Sequence, residues 1–163
     1  MSHSITLSGR QFFLRKATVA DVDAILRQRR GMYIDMGIAD EEALATMMAT
    51  CRPFLAAQIK EENYHEWLVE NDAKEIVAGG GIFLYDCLST PTDPLIRRPL
   101  IMNVYTEPAY RRKGIARTLM DTMIAWCREQ KFTSVVLHAS NDGRPLYESL
   151  GFKQTSEMRL RLQ

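Results

Sequence analysis

The stretch Thr106-Glu107-Pro108-Ala109-Tyr110-Arg111-Arg112-Lys113-Gly114-Ile115-Ala116 joins a strand pattern to a helix pattern. Before it, residues 100–105 are apolar and rich in residues that favour strands. After it, apolar residues recur at helical spacing, which predicts a helix from about Gly114 to about Glu129. Pro108 cannot continue a strand ladder, and Gly114 permits a tight turn. The sequence therefore predicts a strand, a turn and a helix in close succession.

The predicted helix begins beside three consecutive cations, Arg111, Arg112 and Lys113. Cations cost stability at a helix N-terminus, because the helix dipole adds partial positive charge to N–H groups that have no intrahelical partner there. Binding of an anion would explain the cost, and the small Gly114 and Ala116 would let a diphosphate approach the backbone. A solvated basic turn is the alternative. The sequence contains neither the P-loop pattern nor the dinucleotide pattern G-x-G-x-x-G.

Length and composition predict one domain over residues 1–163, with enough chain to bury a core. A hydrophobic content of 46% and a charged content of 25% are ordinary for a soluble globular protein. The formal net charge of +1 argues against a nucleic-acid partner, because phosphate neutralisation needs a broad basic excess.

The cysteines indicate a reducing compartment. Cys51, Cys87 and Cys127 are widely spaced and form no C-x-x-C pair, so neither a disulfide framework nor a metal site is expected. No charged-then-apolar leader opens the sequence, and no apolar run reaches membrane-spanning length. These observations predict a cytoplasmic protein without a membrane partner.

The first half of the chain predicts a strand, two helices and a hairpin. The strand lies within residues 10–17, and Thr18 with Asp21 forms a capping-box spacing for a helix that Gly37 ends. A second helix begins near Glu41, and we expect Pro53 to kink or divide it. The hairpin comprises residues 66–70 and 76–85. Its glycines at 79–81 favour a bend or close backbone packing over a phosphate cradle, because a strand follows them.

The second half adds a loop over residues 86–99, a buried strand over residues 133–138 and a short helix. Pro145 suits the first turn of that helix, and Gly151 suits its end. Met158, Leu160 and Leu162 then alternate with arginines, which predicts a half-buried final strand.

Two of these segments together resemble the GNAT superfamily of acetyl-CoA-dependent N-acetyltransferases. Arg111-x-x-Gly114-x-Ala116 matches the superfamily signature [Q/R]-x-x-G-x-[G/A]. About 30 residues later, the segment Leu-Tyr-Glu-Ser-Leu-Gly-Phe at 146–152 matches L-Y-E-x-L-G-F. Their order and spacing make the joint match specific, and the start at residues 18–21 extends the resemblance over nearly the whole chain.

The resemblance implies an α/β (α+β) fold: a strongly twisted, mixed, mostly antiparallel sheet of six or seven strands flanked by helices. One parallel pair of strands would splay apart and hold the pantetheine arm of acetyl-CoA. Carried over by position, backbone groups of the central strand would pair with pantetheine, and N–H groups of residues 112–117 would hold the diphosphate. The residues implied to bind acetyl-CoA are Val104, Tyr105, Thr106, Arg111, Arg112, Lys113, Gly114, Ile115, Ala116, Arg117 and Asn141.

Tyr147 matches the residue that protonates the departing coenzyme A thiolate in relatives. A phenol suits this task because its ordinary pKa near 10 keeps it protonated at neutral pH. A packing role for the ring is the alternative. Gly143-Arg144-Pro145 replaces a run of small residues, and Asn141 lies six residues before Tyr147, where relatives place an asparagine seven before.

The general base of relatives, a glutamate on the central strand, is absent here, and Asn103 lies on that strand instead. His138 could replace the glutamate or could be structural. An amine that arrives neutral, or that loses its proton through ordered water, would need no dedicated base.

The implied acceptor is a primary amine of a small molecule or peptide, bound by residues at about 30–45 and 153–158. Asp35, Glu41, Glu42 and Glu157 could hold a cationic amine there or could be solvated surface charges. Amino acids, polyamines, aminoglycosides and protein N-termini all stay open. So do a longer acyl group, a homodimer, and the alternative function of a non-catalytic acyl-CoA-binding regulatory module.

Overall fold

A computed structural model describes residues 2–162 as one six-stranded sheet with helices on both faces. The strands lie in the sheet in chain order: β1 (Ser2–Leu7), β2 (Arg10–Lys16), β3 (Tyr64–Glu70), β4 (Ile76–Asp86), β5 (Arg97–Thr106) and β6 (Val136–Leu137). Every neighbouring pair is antiparallel except β5 and β6, which are parallel. The expected mixed, mostly antiparallel sheet is confirmed.

Four helices accompany this sheet: α1 (Val22–Asp35), α2 (Glu41–Lys60), α3 (Ile115–Glu129) and α4 (Arg144–Ser149). The expected capping box of Thr18 and Asp21 is present at a short 3-10 turn that leads into α1. Within residues 2–162, the helices lack the combination of length and apolar character that a membrane span requires.

The helix α2 is not divided at Pro53, one of the two outcomes expected there, because helical structure is continuous over Glu41–Lys60. A proline removes only one helical hydrogen bond. Leu44 and Leu55 are both buried, one on each side of Pro53, so packing of the same helix face against the protein holds the two halves together.

Two hydrophobic clusters fix the sheet between its helices. On one face, α1 and α2 pack on β3 through Ile25, Leu26, Leu55 and Leu68, all of them buried. On the other face, α3 packs on β3, β4 and β5, and its apolar stripe is Ile115, Leu119, Met120, Met123 and Cys127. The helix predicted from about Gly114 to Glu129 is therefore confirmed together with the face that it buries.

The glycines of β4 allow the close packing that their sequence suggested. An added Cβ at Gly79 would lie 2.5 Å from Oε1 of Gln28 and 2.9 Å from Oε1 of Glu66. A Cβ at Gly80 would lie 3.0 Å from the methyl carbon of Met123. Side chains from both faces thus reach the backbone of β4 directly.

The C-terminal part of the sheet is smaller than the sequence predicts. Residues 152–162 form no strand, and Met158, Leu160 and Leu162 are 95%, 82% and 86% exposed. An alternating sequence forms a strand only when a neighbour accepts its backbone hydrogen bonds, and the adjacent β6 is two residues long, much shorter than the predicted 133–138. The strand β1 was not predicted, and β5 begins at Arg97, inside the expected loop.

Candidate functional site

A β-bulge in β5 opens one edge of the central strand. Gly81 pairs with Met102 and Gly79 with Tyr105, so that Asn103 and Val104 together oppose Gly80 alone. Asn103 adopts a left-handed conformation with φ of 58°. The partner strand β6 pairs only with residues 100 and 101. Beyond the bulge, β5 faces no partner strand on its β6 side within residues 2–162. Backbone hydrogen-bonding groups are therefore available to a ligand there.

A nest of backbone N–H groups lies at the start of α3. Arg112 and Gly114 have φ values of 58° and 87°, and alternation of left- and right-handed residues makes N–H groups converge. Thr118 is the first residue of α3 whose N–H is bonded at this end, to the carbonyl of Gly114. In the described part of the chain, the N–H groups of residues 112–117 donate to no acceptor. The geometry suits an anion.

Two basic side chains of the turn, those of Arg111 and Lys113, contact neighbouring groups. Arg111 Nε donates to the Thr106 carbonyl at 2.8 Å, and its guanidinium pairs with Asp35 of α1. Lys113 Nζ lies 2.5 Å from the carbonyl oxygen of Ala109. These contacts fix the shape of the turn, while the backbone N–H groups of residues 112–117 have no acceptor in the described part of the chain.

Tyr147 lies on α4, which Arg117 joins to the start of α3 by donating to Ser149 Oγ at 2.7 Å. Its ring packs edge-on against Phe152, with ring centroids 6.1 Å apart. A Cβ at Gly143 would lie 2.8 Å from this ring, so glycine makes room for it. Burial raises the pKa of Tyr147, which keeps its hydroxyl protonated at neutral pH.

Most of the carboxylates considered for an acceptor amine are already paired. Asp35 pairs with Arg111, and Glu41 pairs with Arg30 at 2.6 Å. Glu157 lies 3.3 Å from His138 and 3.1 Å from Arg159 in an exposed cluster. Glu42 is exposed on α2, and Asn141 is exposed in the turn before α4.

A buried polar cluster between α1 and the sheet was missed by the sequence analysis. Glu66 of β3 is 2% exposed and accepts a hydrogen bond from the Tyr64 hydroxyl. Asn103 Nδ2 donates to the same hydroxyl at 2.8 Å. From α1, Arg29 Nη1 donates to Asn103 Oδ1 at 2.5 Å, and Gln28 lies beside Glu66 across Gly79. Polar side chains of α1 and β3 thus contact Asn103, which lies at the bulge.

Burial raises the pKa of Glu66 from 4.5 to about 8, and the hydrogen bond from Tyr64 and the charge of Arg29 oppose this only in part. Because the pKa of Glu66 is higher in the folded than in the unfolded protein, protonation of Glu66 contributes its full stabilisation below about pH 4.5. It is lost as the pH rises through about 8.

We therefore expect Glu66→Gln, which mimics the protonated acid, to weaken the pH dependence of stability. Wild type should lose roughly 1.4 kcal/mol per pH unit from this group between about pH 5 and 8, and the variant should not. Thermal unfolding of both proteins at several pH values measures the difference. Equal pH dependence in the two would show that Glu66 is ionised in the folded protein at neutral pH.

Comparison with known families matches residues 62–154 to the acetyltransferase (GNAT) domain. Among solved structures, a GCN5-related N-acetyltransferase from Ralstonia eutropha is 30% identical, with a TM-score of 0.87. The alignment covers 93% of this chain and 98% of that one. A predicted acetyltransferase with acetyl-CoA from Clostridium acetobutylicum is 29% identical, with a TM-score of 0.83, and covers 93% of this chain and 96% of that one.

A curated human protein, N-acetyltransferase 8, is 27% identical over 130 residues, which is 77% of this chain and 50% of that protein. Human N-acetyltransferase 8B is 30% identical over 96 residues, 56% of this chain and 39% of that protein. The chain therefore spans half or less of the length of these curated relatives. The matched domain contains both the bulge of β5 and the nest at the start of α3.

Proposed function

The chain belongs to the GNAT acetyltransferase family, and on that premise we propose that it moves an acetyl group from acetyl-CoA to a primary amine of a small molecule or peptide N-terminus. The observation that carries this proposal is that one strand-turn-helix segment contains two sets of unpaired backbone groups. One set is the open edge of β5 beyond the bulge, and the other is the nest at residues 112–117. Both suit the extended, anionic shape of this donor.

The donor site is assigned residue by residue. The backbone of Val104, Tyr105 and Thr106 would pair with the pantetheine arm along the open edge, and the nest would hold the diphosphate. The Clostridium structure is of a relative with acetyl-CoA, which supports a donor site in this fold. Arg111 and Lys113 would act by shaping the turn, because neighbouring acceptors hold their charged groups. Asn141, exposed before α4, would contact the coenzyme from the opposite side.

In the proposed reaction a neutral amine attacks the thioester carbonyl directly. A new N–C bond forms, the C–S bond breaks, and the amine gives its extra proton to water. Backbone N–H donors fixed along β5 would stabilise charge on the carbonyl oxygen. The Tyr147 hydroxyl would protonate the departing thiolate, since its pKa lies above that of a thiol. Coenzyme A then leaves as a thiol, and water reprotonates the Tyr147 phenolate.

A panel of amines tests the proposal. Purified protein is incubated with acetyl-CoA and, one at a time, with amino acids, polyamines, aminoglycosides and short peptides, and free thiol is measured. We expect at least one amine to release coenzyme A faster than buffer alone, with a matching gain of one acetyl group in the product mass. Binding of acetyl-CoA without transfer to any amine would contradict catalysis and would indicate an acyl-CoA-binding module.

The location is a separate part of the proposal. Cys51, Cys87 and Cys127 are all free thiols, which supports a cytoplasmic protein.

A further inference from the structure

The polar cluster below the bulge is a connected chain of hydrogen bonds that the proposed reaction does not use. We propose that Tyr64 and Glu66 are positioning residues, which hold Asn103 and thereby fix the bulge of β5 that presents the open edge to the donor. This inference rests on the acetyl transfer proposed above. It assigns a task in that reaction to two residues on β3, a strand that does not line the open edge.

Two links of the chain join buried groups, and the third reaches the half-buried Arg29. The Tyr64 hydroxyl donates to Glu66 Oε2, and it accepts from Asn103 Nδ2 at 2.8 Å. The other end of the Asn103 amide, Oδ1, accepts from Arg29 Nη1 at 2.5 Å. Tyr64 is 3% exposed, Glu66 2% and Asn103 7%. The Asn103 side chain is therefore held at both ends of its amide, away from water.

The backbone of Asn103 needs such support. Its φ of 58° lies in the left-handed region, which residues other than glycine adopt only when surrounding contacts hold them there. This conformation places two residues of β5 opposite Gly80 and begins the separation of β5 from β6. Any rotation of Asn103 would turn the peptide groups of Val104 and its successors, whose direction sets the donor site.

The neighbouring groups indicate a neutral Glu66. Glu66 Oε1 and Gln28 Oε1 both lie within 3 Å of one point beside Gly79, at 2.9 and 2.5 Å, and neither has a partner when Glu66 is ionised. A protonated carboxyl can donate its hydroxyl to the Gln28 oxygen, which satisfies both atoms. It still accepts from Tyr64 through the other oxygen. The proton thus supplies a hydrogen bond to two buried oxygens that otherwise both lack a partner.

The charged and titratable groups around Glu66 agree with this assignment. From α1, Arg29 supplies a positive charge that acts on Glu66, and Tyr64 on the same strand stays a phenol because burial raises its pKa. Opposite Glu66, β4 contributes only glycine backbone, and β5 contributes the neutral Asn103. Burial raises the pKa of Glu66 to about 8. Since Glu66 lies behind Tyr64 and Asn103, it acts through them and not on the amine.

Two conservative variants test the inference. Tyr64→Phe keeps the ring but removes the link between Glu66 and Asn103. We expect kcat to fall by roughly 10- to 100-fold, with KM for acetyl-CoA changed by less than about threefold. Glu66→Gln can accept from Tyr64 and donate to Gln28, so it should keep kcat within about threefold of wild type. Wild-type kcat should fall as the pH rises through about 8, and kcat of Glu66→Gln should not.

Glu70→Gln is the matched control. Glu70 is a buried acid on the same face of β3, but it pairs with Arg15 at 2.6 Å, far from the bulge. Its substitution should lower the melting temperature and leave kcat unchanged. If Tyr64→Phe keeps the wild-type kcat, this inference is overturned and the proposed acetyl transfer is unaffected. Loss of activity in Glu66→Gln, with wild-type activity rising through pH 8, would also overturn it and make Glu66 a base. Absence of transfer by wild type would instead overturn the proposed function and this inference with it.

Discussion

Tyr147→Phe should lower kcat on the best amine by roughly 10²- to 10⁴-fold, the usual contribution of a positioned proton donor. The substitution removes one hydroxyl and keeps the ring. The edge-on contact with Phe152 and the fit beside Gly143 therefore remain. Acetyl-CoA affinity and melting temperature should change little, because neither depends on the hydroxyl. Steady-state kinetics and a melting curve on the two proteins measure both quantities.

Tyr85→Phe is the control for this prediction. Tyr85 is a partly buried tyrosine on β4, and its hydroxyl takes no part in the proposed chemistry. Its substitution should leave kcat unchanged. If Tyr147→Phe retains wild-type kcat within about threefold, or loses stability instead of turnover, Tyr147 is a packing residue.

Gly114→Glu should abolish the rise in melting temperature that acetyl-CoA gives to wild type. A ligand that binds only the folded state stabilises it by mass action, so the rise reports occupancy. The new side chain would start at the centre of the N–H nest, where it adds bulk and negative charge against the diphosphate. Free N–H groups from residue 112 to residue 117 favour one anion, and a built-in carboxylate would compete for them.

The strain of the substitution needs its own control, because Gly114 has φ of 87°. Gly37 has the same φ and an added Cβ there meets nothing within 4 Å, so Gly37→Glu carries the same backbone cost away from the nest. Gly37→Glu should melt at a lower temperature than wild type and still gain stability from acetyl-CoA. An undiminished gain in Gly114→Glu would place the diphosphate elsewhere.

The sequence predicted the part of the fold that local rules determine. The turn before α3 combines Pro108, Gly114 and an apolar helical stripe, and each residue acts on its own segment. The capping box of Thr18 and Asp21 is equally local, and it forms as expected. Patterns of this kind are readable because the residues that cause the structure are adjacent in the chain.

Features that depend on distant partners were predicted less well. The alternation of Met158, Leu160 and Leu162 suggested a strand, but a strand also needs a neighbour, and β6 is too short to provide one. Glu66 sits in a strand whose seven residues are all buried, an unusual place for an acid. The glycines at 79 and 81 show why it fits, yet only the register of β3 and β4 brings them together.

Calorimetric titration of wild-type protein with acetyl-CoA measures occupancy of the donor site itself. We expect saturable binding of one acetyl-CoA per chain, because the chain presents one nest and one open edge in its described residues. Gly37→Glu should give the same stoichiometry, and Gly114→Glu should give no heat of binding. If wild-type protein that melts cooperatively binds no acetyl-CoA, the chain has no site for this donor and acetyl transfer from it is excluded for any amine.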